Sequence, residues 1–400
     1  MGKSKKPSAS SSRNRAIELL RRFGEGFFSL PAVSSLEGFF LRLLFGVVVA
    51  FTISLQVPFH EQPHPVGLAH FFDLTWLSDP EKVAAYRDVI YLLLLFYAAG
   101  WFLPIVLPAL AVGHTLMFTL YNSQGYTHHG YQIVSLTLVA QTATVLYYTV
   151  LKGFRLQPPD PVLNAWLLVQ SQVVVTGTYL VSFLTKVFAT GGMWFWNAHY
   201  IALDMIKTQR QHYVSRFNPA DAGDPLEAIW LLEHPWIARG LFASGALLEA
   251  VAFFALASRK LGFLIGIGLI LLHRSVSMLM GLRFQNNEML CAIFLLGIPY
   301  LIARCLERVH PAAVRLGVLI GAGVGIPLSY FAQPVAIRNA MPLSQYLIAL
   351  VNSLSVWANG NWADILRFTL PLWTTCLVTA AAGALAAYLA SRVKMRASVP

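Results

Sequence analysis

A small set of side chains could carry chemistry here, provided the fold gathers them: His114, His128, His129, Lys186, Glu249 and His273, each inside or at the edge of a long apolar run. An ionisable group within a bilayer costs about 2.5 to 3.5 kcal/mol on insertion scales, so one that persists usually faces a bundle interior or a wet cavity. An amine, imidazoles and a carboxylate around one greasy hollow are equipment for proton transfer. A lysine withdrawn from water yields its proton more readily, and an imidazole orients or polarises a hydroxyl oxygen. The segment GGMWFWN, Gly191 to Asn197, follows Lys186 directly and offers an aromatic lid through Trp194 and Trp196.

Each of these residues also has a purely structural use. Lys186 can be an interfacial lysine that snorkels, His129 a polar helix start and His273 an interhelical hydrogen bonder. Glu249 can simply pair with a base, and GGMWFWN can belong to an aromatic belt. What favours a common site is their concentration on one side of the membrane. Arg283 and Glu288, in GLRFQNNEML, read as loop and cap residues.

The elements that must position them are membrane helices. The chain has 400 residues, 56% of them hydrophobic and 12% charged, against roughly 25% charged in soluble domains. Apolar runs of about 20 residues recur, the length that crosses about 30 Å of hydrocarbon. The expected fold is all-α, a polytopic bundle of about ten spans at 38–57, 88–102, 104–121, 130–150, 162–186, 239–257, 261–281, 288–303, 313–332 and 366–390. The stretch AAGWFLPIVLP between the second and third reads either as a tight turn or as a kinked helix.

Ten spans put both termini on one side, and the positive-inside rule makes that side cytoplasmic. KSKK, RNR and RR precede the first span and SRVKMR follows the last. The short connections on the same side carry Lys152 with Arg155, Arg259 with Lys260, and Arg304 with Arg308. The long connections 58–87, 187–238 and 333–365 then lie outside. The second of them is too long for a turn, and WFWNAHYIALDMIKTQRQHYVSRF has the spacing of an amphipathic helix. By this topology Lys186, His129 and His273 sit in the outer half and Glu249 near the middle.

The net charge of +11 is explained by topology and anionic headgroups rather than nucleic acid. Cys291, Cys305 and Cys376 have neither metal-ligand nor CxxC spacing, and no metal is expected. The tail MGKSKKPSASSSRNR is basic and Ser-rich; it lacks the apolar core of a signal peptide and, with Lys6 at the sixth position, the myristoylation pattern. P-loop, Rossmann, HExxH and GxSxG patterns are absent from the sequence, as is an internal repeat.

The patterns YNSQGYTHHGYQIVSL, YLVSFLTKVFATGGMWFW and HPWIARGLFASGALLEAVAFFALASRKLGFLIGIGLILLHRSVSMLMGLRF together resemble the transmembrane core of the vitamin K-dependent γ-carboxylase and the bacterial proteins grouped with it as the horizontally transferred transmembrane domain. The resemblance covers residues 38–303 as order and interval more than identity. It implies an organisation of a basic tail and interfacial segment over 1–37, a carboxylase-like core over 38–303 with an outer loop at 187–238, additional helices over 304–392 and a cytoplasmic tail over 393–400.

The resemblance also implies a mechanism. Lys186 would be the base that deprotonates reduced vitamin K or menaquinone, with His129 and His273 orienting the quinol oxygens. His114, His128, Glu249, Trp194 and Trp196 would bind substrate. Quinol epoxidation, and carboxylation of a peptide or protein substrate at the outer face, would follow. The segment VFATGGMW departs from the acidic and Trp arrangement associated with the carboxylase. Two other expectations stand beside this one: a non-catalytic protein that handles lipid or peptide, and, with less support from the sequence, a small-solute transporter. The expected partners are membrane lipids and a quinone.

Overall fold

The computed structural model describes residues 29–54, 67–123, 129–217, 223–282 and 284–306, with scattered positions outside these stretches. Every regular element among the described residues is helical. Six helices there are long and apolar enough to cross a membrane, so the all-α, multi-span expectation holds in kind. The spans expected at 313–332 and 366–390 lie almost wholly outside the described residues. The chain divides into two compact units, one built from Ala32–Leu168 and the residues from Ile298 on, the other from Val169–Gly297 with the segment Met1–Pro31.

The first unit opens with α1, Ser35–Ser54. It starts three residues before the apolar run because Ser34 Oγ accepts the Glu37 N–H at 3.0 Å, satisfying an otherwise orphaned donor. Helix α2, Pro80–Ala99, likewise begins ahead of its hydrophobic stretch. Asp79 caps it by accepting from the N–H groups of Glu81 and Lys82, and Pro80 takes the first helical position. Those start signals outweigh the apolar onset at residue 88. They also bring charged residues into the helix, which is not among the six apolar candidates. At its other end the Gly100 and Trp101 N–H groups, both at 3.0 Å, return to the carbonyls of Tyr97 and Phe96, with Gly100 left-handed at φ 80. This is a Schellman stop, so AAGWFLPIVLP is a turn, and α3, Leu103–Ser123, follows as a separate helix.

Helix α4, His129–Lys152, and the first turns of α5, Pro161–Phe188, complete this unit. Its core packs Phe39, Phe45, Tyr97, Leu107, Leu110 and Leu138 out of contact with solvent. Tyr97 donates to Gln141 Oε1 at 2.6 Å, tying α2 to α4.

Asp79 gives the first prediction. Its carboxyl is held below the usual range, chiefly by the Glu81 N–H. A carboxyl depressed in the folded state stabilises above its unfolded pKa, and that contribution fades as pH falls through the folded value. The first-turn amides of α2 should therefore exchange faster in acid than at neutral pH. Asp79→Ala should remove that difference, measured by hydrogen exchange after correction for the intrinsic rate.

The second unit contains the rest of α5, then α6 Met193–Asn197, α7 Ile201–Arg216, α8 Leu226–Glu233 and α9 Pro235–Val251. The long connection expected at 187–238 is thus mostly helical. Ala202 and Met205 of α7 pack on Ala228 and Leu231 of α8 and Ala238 of α9. Helix α9 runs on as a 3-10 segment, Ala252–Ala257. Ser258 then caps α10, Arg259–Met280, by accepting the Leu261 N–H. On α10, Leu264, Leu271 and Met278 stand out at 63%, 60% and 86% exposure, the pattern of a face meant for lipid.

The span expected at 288–303 is interrupted. Helix α11, Gln285–Leu290, passes into a π-helical turn, Cys291–Leu295, which ends near Gly297 at φ 71; α12, Ile298–Cys305, belongs to the first unit. The Phe294 carbonyl is taken up by Gln172 Nε2 at 2.7 Å. Gly262 and Gly266 of α10 let the backbone around Leu295 approach closely. A Cβ on Gly266 would sit 2.5 Å from Leu296 Cδ1 and 3.0 Å from Leu295 Cβ. Gly266→Val should therefore destabilise the protein by about 1 to 3 kcal/mol through overpacking. Gly177→Val, where a Cβ meets nothing within 4 Å, should change the melting temperature in detergent far less.

Candidate functional site

The site begins where α5 ends. Tyr179, Ser182 and Lys186 share one face of that helix, at spacings of three, four and seven residues. Past Phe188 the chain must reverse sharply, and two consecutive glycines permit it. Gly191 and Gly192 have φ of 56 and 82, and their N–H groups bond the Phe188 and Val187 carbonyls at 3.4 and 2.8 Å, again a Schellman arrangement. Thr190 fastens the turn by donating to the Lys186 carbonyl at 2.6 Å and accepting the Trp194 N–H at 3.0 Å. The aromatic segment is thereby folded back over α5: Phe195 meets Phe183 at 6.0 Å, and the Trp194 ring lies 5.6 Å from Lys186 Nζ.

Helix α9 brings Glu249 to the same place. Lys186 Nζ donates to Glu249 Oε2 and to Ser182 Oγ at 2.8 Å. The two charged side chains keep 24% and 15% of their accessible surface, so the pair is largely, but not wholly, withdrawn from solvent. A π-face over the ammonium adds an attraction that grows as water is excluded. The arrangement can hold a proton between an amine and a carboxylate beside an aromatic wall.

Two turns back along α5 lies a second polar knot. The Tyr179 hydroxyl meets His273 Nε2 of α10 at 2.7 Å and Cys291 Sγ at 3.3 Å. Tyrosine has one proton to give. When the thiol donates to its oxygen, the hydroxyl proton goes to His273 Nε2, which leaves the neutral histidine protonated on Nδ1. The imidazole is stacked on Phe284 at 4.8 Å and buried at 7% exposure. Beyond it, Arg274 Nη2 binds Glu288 Oε2 at 2.6 Å, with the Glu288 side chain 10% exposed. Glu288 is therefore a buried ion-pair partner rather than the cap residue expected. Tyr179 and Lys186 stand on one face of α5, so both knots belong to one polar region of the second unit.

The sequence candidates thus separate. Lys186, Glu249 and Trp194 come together, with His273 in the adjoining knot. Trp196 is engaged otherwise: Arg239 lies 4.2 Å from its ring centroid and donates to its carbonyl at 2.6 Å. His114 belongs to the first unit, where Thr52 Oγ1 meets Nε2 at 2.8 Å and Ser135 Oγ meets Nδ1 at 2.7 Å. Because the Thr52 hydroxyl gives its proton to the Val49 carbonyl, it accepts from Nε2–H, and Nδ1 accepts from Ser135. Both ring nitrogens are spoken for, which fits a tie between α1, α3 and α4 rather than a substrate contact. His129 opens α4 in the first unit, and His128 lies outside the described residues.

Sequence reasoning overlooked Tyr179 and Asn287, and weighed Cys291 only for metal and CxxC spacing, because none of the three is charged at neutral pH and charge inside an apolar run was the guiding signal. It also overlooked a cavity of about 750 Å3 in the first unit, lined by Phe72, Leu74, Trp76, Ala111, Thr115 and Val139 among others. Comparison of the chain with protein-family models, with curated proteins and with solved structures found no match in any of the three.

Proposed function

We propose that this protein is a membrane-embedded enzyme that draws a proton from a hydroxyl of a lipid-soluble substrate, with a reduced quinone such as reduced vitamin K or menaquinone as the substrate that the sequence resemblance favours. The observation that supports this reading is the Lys186–Glu249 pair, withdrawn from solvent yet still partly accessible and backed by Trp194. In the neutral tautomer of the pair, an amine beside a carboxylic acid, Lys186 takes the proton of a substrate hydroxyl on Nζ, and the ammonium so formed stabilises the oxygen left behind. Trp194 offers a face for the ring. His273, fixed by Tyr179, orients the region without itself needing to reach substrate. Epoxidation of the quinol, and carboxylation of a peptide at the outer face, are the subsequent chemistry of the γ-carboxylase-like proposal, in a bundle of ten spans with both termini cytoplasmic.

The apolar cavity of the first unit favours a second reading. With a volume of about 750 Å3, it suits the tail of a prenylated lipid, which a protein that carries lipid without transforming it would need equally. The two readings part in one assay. Purified protein is supplied with reduced menaquinone and oxygen, and epoxide is measured for wild type and for Lys186→Arg. Arginine keeps the cation and cannot act as a base. Epoxide formation that Lys186→Arg abolishes supports the enzyme; quinone binding with no product in either protein supports the carrier.

A further inference from the structure

Arg42 lies in α1 seven residues from its start, about 10 Å along the helix axis. It is 1% exposed. A guanidinium so deeply buried is normally paired with a carboxylate, because the desolvation of a lone charge amounts to several kcal/mol. Here Nη1 bonds the neutral side chain of Asn164, at 2.7 Å to Oδ1, and Nε–H has no partner among the described residues. No carboxylate bonds Arg42 among the described residues. Among the described residues the charge of Arg315 also bears on it, and Arg315 Nε is likewise buried without a partner there. Each of the two guanidiniums thus keeps an unused donor.

Two glycines make room for this arrangement. A Cβ on Gly38 would fall 2.3 Å from the Asn164 side chain, and one on Gly100 would fall 3.0 Å from Arg42 Nη2. Gly100 is at φ 80, where a side chain would be strained in any case. Asn164 is itself 2% exposed, and its amide nitrogen is directed to the Pro159 carbonyl at 3.4 Å. The backbone therefore closes tightly around the Arg42–Asn164 pair, with the Arg42 Nε donor left over and surplus positive charge.

We propose that Arg42, Arg315 and Asn164 of the first unit bind one phosphate-class oxyanion, supplied either by the headgroup of an anionic lipid or as free phosphate. The guanidinium fork matches a tetrahedral oxyanion through two parallel N–H groups. Such a ligand supplies the missing negative charge and fills both unused Nε donors. The distance of Arg42 from the end of its helix is compatible with a headgroup drawn slightly inward from the interface, where basic pockets between spans hold anionic lipids. This site is independent of the Lys186–Glu249 reading.

The test uses the full chain, delipidated in neutral detergent. Its melting temperature is followed during titration with inorganic phosphate against chloride at matched ionic strength, and separately with phosphatidylglycerol against phosphatidylcholine in mixed micelles. A rise with phosphatidylglycerol alone identifies a lipid headgroup; a rise with phosphate alone identifies the free ion; a rise with both identifies a site open to either. In each supporting case Arg315→Gln raises the half-saturating concentration at least tenfold. Arg42→Met should abolish the response. Should that variant fail to fold, Arg315→Gln, at the half-buried member of the pair, still decides the matter. No rise in either titration, or a rise that Arg315→Gln leaves unaltered, overturns the proposal.

Discussion

Lys186→Met should destabilise the protein by about 3 kcal/mol, Glu249→Leu by somewhat less, and the two together by much less than either alone. Removing one member of a buried ion pair strands the other in a medium that solvates it poorly, a loss of about 3 to 5 kcal/mol, whereas replacing both with apolar side chains is often neutral. The lower end applies because the side chains keep 24% and 15% of their surface. In the single Lys186→Met variant, Glu249 has no amine, and the Ser182 hydroxyl loses its donor. In the Glu249→Leu variant, Lys186 retains Ser182 and the Trp194 face, which makes it the milder loss. Thermal melts of the four proteins in one detergent give the coupling directly. Additive losses would show that the pair is an exposed contact of little energy, and would remove the structural basis for a shared proton at this place.

The same residues show how far the sequence can be read. Lys186 and Glu249 stood out because charge inside an apolar run is rare, and because Lys186 precedes GGMWFWN, whose two glycines suit a reversal and whose rings suit a wall. That reasoning works wherever a single local rule dominates. It also located the long apolar helices, whose lengths follow from the rise per residue and the thickness of a bilayer. It mislaid their beginnings, since Ser34 and Asp79 start α1 and α2 by capping, a signal that a hydropathy average does not carry.

Other features needed partners that only three dimensions supply. Cys291 read as a small packing residue, and Tyr179 drew no notice; the knot they form arises because the π-helical turn at Cys291–Leu295 presents the thiol to α5. Arg42 was legible in principle. It stands inside the first apolar run as an ionisable group, the same signal that marks Lys186 and Glu249. Glu288 followed the opposite course: GLRFQNNEML is polar enough to look like a loop, yet Asn286, Asn287 and Glu288 are 5%, 6% and 8% exposed. Polarity marks a loop only when water can reach it, and here the neighbours of α11 exclude it.

Tyr179→Phe should cost about 3 kcal/mol and open the Cys291 thiol to labelling. The hydroxyl serves His273 Nε2 and Cys291 Sγ at once, and each buried polar group left without a partner costs about 1 to 3 kcal/mol, with sums falling short of additivity. Cys291 is buried and Cys305 exposed; in wild type a maleimide should therefore modify Cys305 and spare Cys291 until the fold opens. In Tyr179→Phe, modification at Cys291 should accelerate well ahead of global unfolding, because the loss loosens the α5, α10 and α11 contacts at one point. His273→Gln supplies the control: its amide can still accept from the Tyr179 hydroxyl, so it should retain most of the thiol protection, whereas His273→Leu should not. Equal labelling rates in wild type and Tyr179→Phe would mean that packing around Leu290 and Phe294, rather than the hydroxyl, shields the thiol.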